Sequence, residues 1–147
     1  MARGIGLGLV AVVVVVAVGA LLRGILDLSG GVIAVAIAGG WVIGTAVRRG
    51  AWAGRPHRAS SAPVIWAAIL GALCWLVGLV GTWLVAMAIL PGSSRTFLER
   101  LAATPFLDWL APQLGLADLL SLLLFVGFGW FGARSAAIDD RSAATGA

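Results

Sequence analysis

The chain has 147 residues, 61% of them hydrophobic and only 11% charged, with a mean hydropathy of +1.08, whereas a soluble domain carries about a quarter charged residues. These proportions exclude a soluble globular enzyme, a disordered regulator and a conventional nucleic-acid binder, even with a net charge of +4 and a pI near 11.4. One Cys and one His rule out an intramolecular disulfide, and also a zinc or iron–sulfur site held by this chain alone.

Lys, Asn and Tyr, whose codons are AT-rich, are absent, and every basic residue is Arg, which points to a GC-rich prokaryotic source. Four continuously apolar stretches, 5–22, 31–47, 64–90 and 114–133, are each close to the roughly 20 helical residues that cross a hydrocarbon core. Alternation of apolar and polar residues is missing from them, so barrel strands are excluded. The expected fold is an all-α integral membrane protein, a single domain over 1–147 built as a four-transmembrane-helix bundle.

The first span follows Arg3 and contains Val18-Gly19-Ala20, a pattern shared with cleavable secretory signals. Its apolar run continues through Leu21 and Leu22, which favours a retained span. Beyond it, Arg23 and Asp27 stand four apart. The second span carries Gly40 and Gly44 and ends at a basic segment, 48–62, expected as an inner loop containing Arg48, Arg49, Trp52, Arg55, His57 and Arg58. These arginines set topology, and with Trp52 they are candidate contacts for acidic lipid or for a partner subunit.

The third span starts beside Pro63 and stops at Pro91-Gly92; at about 40 Å it exceeds the hydrocarbon thickness and must tilt, bend or protrude. Cys74, Gly78, Thr82 and Ala86 recur at four-residue spacing, a small-residue stripe expected to pack against another helix. Trp75 and Trp83 lie inside the same span. With Phe125 and Phe128 of the fourth they are candidate walls of a pocket for a lipid tail, quinone or pigment.

Between the third and fourth spans, 91–113 reads as a short amphipathic external hairpin. Thr96 and Glu99 have capping-box spacing and predict a helix over 96–103, while Pro105 and Pro112 bracket a second apolar piece with Asp108 and Trp109. The fourth span follows Asp118 and is succeeded by a short cytoplasmic tail, 134–147. Asp27, Gly40-Trp41, Gly44 and Arg48 are weakly echoed by Asp118, Gly129-Trp130, Gly132 and Arg134, a likeness that a duplicated helical hairpin would produce.

Arg3, Arg48, Arg49, Arg55, Arg58, Arg134 and Arg141 fall on one side of a four-span arrangement and Arg23, Arg95 and Arg100 on the other. Both termini are therefore expected in the cytoplasm, in a prokaryotic inner membrane. No span has an ionisable residue near its centre, and His57 has no acid to orient it and no GxSxG elbow nearby, so neither enzymatic chemistry nor a cofactor is expected. The expected role is an accessory or structural subunit among membrane lipids and other integral subunits, with no nucleic acid. The alternatives are a small homo-oligomeric transporter or channel using Arg23, Asp27 and Asp118 as an outer polar site, and a hydrophobic-ligand binder between the third and fourth spans.

Overall fold

A computed structural model describes residues 1–24, 29–52, 61–89 and 94–145. They form six helices and no strand: α1 (Ala2–Gly24), α2 (Ser29–Trp52), α3 (Ala62–Ile89), α4 (Phe97–Ala103), α5 (Phe106–Leu110) and α6 (Leu116–Thr145). Among the described residues three segments, Ala2–Leu21, Ala62–Ile89 and Leu116–Ser135, are long and apolar enough to cross a membrane. α2 has comparable length and ends in Arg48 and Arg49.

The large apolar side chains are turned outward to an extent that water does not allow. Val13 of α1 is 69% exposed, Ile65 of α3 56% and Leu123 of α6 67%, and they belong to apolar faces running along each helix. Each such side chain in water forgoes about 1.5–3 kcal/mol of burial, so a surface of this kind belongs against hydrocarbon. The all-helical chain, with its three apolar helices, is compatible with a membrane protein.

Inside, the helices meet through small residues. α6 packs against both α2 and α3, which also touch each other. A Cβ on Gly44 would overlap the Gly129 carbonyl oxygen, one on Gly40 would stand 2.8 Å from the Phe125 carbonyl oxygen, and one on Gly129 would stand 2.9 Å from that of Ala67. Backbone therefore touches backbone, as dispersion-driven packing in lipid requires. The glycines that make the second and fourth spans look alike are among the residues that meet: Gly132 packs on the Trp41 backbone as Gly44 packs on Gly129, whereas the Trp130 side chain is exposed. A shared interface accounts for the likeness in physical terms.

Along α3 and α6, Ala67 pairs with Gly129, Gly71 with Phe125 and Trp75 with Ser121, an antiparallel register. Leu116 then falls level with the turn near Val80, and α3 outruns α6 by about nine residues, roughly 13 Å at 1.5 Å per residue. The length of the third span is thus explained by overhang. α4 and α5 pack beside that overhang: the Trp83 indole N–H donates to the Thr104 carbonyl at 3.2 Å, and Phe106 meets Trp83 edge-on at 5.7 Å and Trp109 by stacking at 6.4 Å. The capping box of α4 is present, with Glu99 accepting from the Thr96 N–H at 2.8 Å and the Thr96 hydroxyl accepting from the Glu99 N–H at 3.4 Å.

Two boundaries differ from the sequence reading. α2 does not stop before Arg48 but continues through Trp52, because nothing breaks the helix there and Gly50 packs against the backbone of Arg3 and Gly4. Arg48 and Arg49 consequently belong to its last turns rather than to a loop. α6 likewise runs on through the expected tail to Thr145.

Replacing Gly44 or Gly129 by Leu is expected to destabilise the bundle by about 1–3 kcal/mol or more through overpacking. The same change at Gly127, where an added Cβ meets nothing within 4 Å, should leave stability within about 0.5 kcal/mol. Unfolding titrations in mixed micelles compare the three directly.

Candidate functional site: an apolar cleft in one half of the bundle

The close crossings gather in the half of the bundle that contains Met1, Trp52, Ala62 and Ser135. In the other half the helices separate around a partly open cleft of about 50 Å³. α1 contributes Val15, Val16, Gly19 and Ala20, α2 contributes Val35, α3 contributes Cys74, Trp75, Gly78, Leu79 and Thr82, and α6 contributes Ser121 and Phe125. Space exists there because Gly19, Ala20 and Gly78 are small without being in tight contact; a Cβ on Gly78 would meet nothing within 4 Å.

The polar groups of the cleft wall are bonded to one another. Trp75 donates its indole N–H to the Asp118 carbonyl at 3.0 Å and to the Ser121 hydroxyl at 3.1 Å, and Ser121 donates to the same carbonyl at 2.7 Å. Thr82 donates to the Gly78 carbonyl at 2.9 Å. Every hydrogen-bond donor of these three side chains is thereby engaged, and the exposed wall is hydrocarbon in character.

The candidate residues are distributed as follows. Trp75 and Phe125 both line the cleft, but Trp83 is turned to α4 and α5, and Phe128 packs on α2 at Gly40 and meets Phe131 edge-on at 6.5 Å. The four aromatics therefore do not form one pocket, since Trp75 and Trp83 point to different sides of α3. Of the small-residue stripe, Cys74 is in the core and also lines the cleft with Gly78 and Thr82, while Ala86 is half-buried. The tight contacts of α3 are made by Ala67 and Gly71 instead.

Asp118 is only 7% exposed, and its carboxylate accepts from the Gly115 N–H at 3.2 Å, at the start of α6. There it compensates unpaired N–H groups and the positive end of the helix dipole. The side chain of Arg23, and all of Asp27, lie outside the described residues, as do Arg55, Arg58 and the side chain of Trp52. Arg48 is 5% exposed, which removes it from the surface offered to lipid headgroups, whereas Arg49 is exposed. The Arg134 guanidinium sits 4.6 Å from the Trp130 ring centre, a cation–π contact one turn along α6.

Sequence reasoning did not single out Ser121 or the α1 side of the cleft. Ser121 is the one hydroxyl in the stretch 117–133 of the fourth span, and a hydroxyl there requires an acceptor; Trp75 requires one for its indole. Among the described residues no cluster of three or more His, Cys, Asp or Glu side chains could hold a metal ion. No family model matches the chain, and no curated protein or solved structure shows significant similarity to it.

Trp75→Phe keeps the ring in the cleft wall and removes its two hydrogen bonds, so a loss of about 1 kcal/mol is expected. Trp66→Phe, at a half-exposed position without such bonds, serves as the reference and should be neutral in the same unfolding titration.

Proposed function

We propose that this chain is a four-span protein of a prokaryotic inner membrane, with both termini cytoplasmic, that performs no chemistry of its own and serves as a small accessory or structural subunit of a larger membrane assembly. The supporting observation is that, among the described residues, several polar side chains of the long helices are bonded within the chain itself. The hydroxyls of Thr45, Thr82, Ser121 and Ser135 each donate to a backbone carbonyl of their own helix, Trp75 ties α3 to α6, and Asp118 caps α6. A bundle closed by backbone contact in one half and internally satisfied in the other is suited to presenting a rigid apolar surface to neighbouring helices.

α2 is taken as the fourth crossing, because it packs along α1 and α6 through the same depth. The short helices α4 and α5 are placed on the outer face. A reporter fused after Arg58 should read cytoplasmic and one fused beside Glu99 external; the reverse pair of signals removes the proposed topology. Gentle-detergent purification should recover stoichiometric integral partners, and a stable, monodisperse species carrying none would contradict the subunit role.

A second reading is favoured by the cleft: the chain binds a hydrophobic molecule among its helices, between the third and fourth spans and the first. The transporter alternative has less support, since Asp118, the described carboxylate of the outer polar trio, is committed to the start of α6.

A further inference from the structure

We propose that the cleft seats the methyl end of a membrane lipid's acyl chain and excludes ring-shaped apolar molecules. The inference rests on the hydrophobic-ligand reading above and makes its ligand specific.

Size decides against enclosing a ring. The cleft measures about 50 Å³, roughly a third of the ~150 Å³ apolar cavity known to admit benzene. A quinone head or a pigment macrocycle is larger than benzene, while the last carbons of a linear chain need only a narrow slot.

Chemistry decides against water and against a polar headgroup. A buried water needs two to four polar partners. Here the Trp75, Ser121 and Thr82 donors are already bonded inside the bundle, and most of the remaining wall is valine, alanine, leucine and phenylalanine. A headgroup would find no free donor among these side chains, and a hydrocarbon end needs none.

Position supplies the ligand. The cleft is partly open and is framed mainly by α1, α3 and α6, the helices with membrane-spanning length and composition, with Val35 of α2 completing the wall. The hydrocarbon present at that depth in quantity is the acyl chain. Gly78 lines the cleft, and a Cβ there would meet nothing within 4 Å, so the position can take a side chain that fills part of the opening.

The test uses the full chain in nanodiscs of phosphatidylglycerol whose acyl chains carry a terminal diazirine. On irradiation, adducts should appear at Cys74, which is 2% exposed and lines the cleft, besides those at the lipid-facing Leu73 and Leu76. Gly78→Val should reduce the Cys74 adduct to roughly a tenth, as expected when filled space admits no guest, with Gly78→Ala intermediate and Gly127→Val unchanged. Leu73 and Leu76 adducts should persist in all of them, which reports a folded bundle even if one variant is weakened.

In parallel, xenon and a benzoquinone are added while the Trp75 indole N–H resonance is followed, assigned by its loss in Trp75→Phe. Xenon should shift that resonance, and the quinone should neither shift it nor compete with the Cys74 adduct. A quinone that shifts the resonance or displaces the chain overturns the size argument. If Cys74 gains no adduct while xenon or quinone still shifts the resonance, the acyl-chain inference fails and hydrophobic-ligand binding survives. If nothing shifts the resonance and no adduct forms, both fail together. A Cys74 adduct undiminished by Gly78→Val also overturns the proposal, because the chain then reaches Cys74 by another route.

Discussion

The crossing of α2 with α6, where Gly44 rests on the Gly129 carbonyl and Gly40 on that of Phe125, is the constraint on which the rest of the bundle depends. Helices in lipid gain nothing from hydrophobic exclusion, so they associate where their backbones can approach closely. In this chain the positions that permit such approach are Gly4, Gly40, Gly44, Gly50, Gly71, Gly129 and Gly132, which run from the middle of the bundle to one end. Towards the other ends of α1 and α2 the facing residues are Val15, Val16 and Val35. There Val15 rests on Gly39 and Val35 on Gly19, side chain against glycine, and these valines line the cleft.

Much of the architecture is legible in the sequence because the bilayer imposes few solutions. Continuous apolar runs can only be helices, and Thr96 with Glu99 announces α4 through two reciprocal hydrogen bonds that need no tertiary contact. Helix ends are less legible. Arg48 reads as the start of a loop because charge normally marks the membrane boundary, yet the helix continues and buries that residue among its neighbours. Spacing alone also misleads on packing: Cys74, Gly78 and Thr82 look like a contact stripe, but whether a small residue meets a neighbour or a void depends on the opposing helix.

The site was legible only in part, for the same reason. Trp75 and Phe125 are conspicuous in their spans, but their meeting follows from the antiparallel register of α3 and α6, fixed elsewhere by Gly71 and Gly129. Trp83 is equally conspicuous and serves a different purpose, holding α4 and α5 against the overhang of α3. What links fold to proposed function is the economy of polar groups. Bonds among Trp75, Ser121 and the Asp118 backbone satisfy the wall of the cleft, so the space left over is suited to hydrocarbon and not to ions.

The central claim is that the helices converge in the glycine-rich half and part around the cleft in the other, and engineered disulfides in a Cys74→Ser background test it most directly. A Cβ on Gly8 would lie 3.9 Å from the Val47 Cβ, within the usual disulfide range of about 3.5–4.5 Å. Across the cleft, a Cβ on Gly78 has no atom of Val35 within 4 Å, beyond the mean disulfide separation of about 3.8 Å. Oxidation of the full chain in membranes should therefore close the Gly8→Cys/Val47→Cys pair rapidly and leave the Val35→Cys/Gly78→Cys pair largely reduced. Rapid closure of the second pair with an inert first pair would contradict the account.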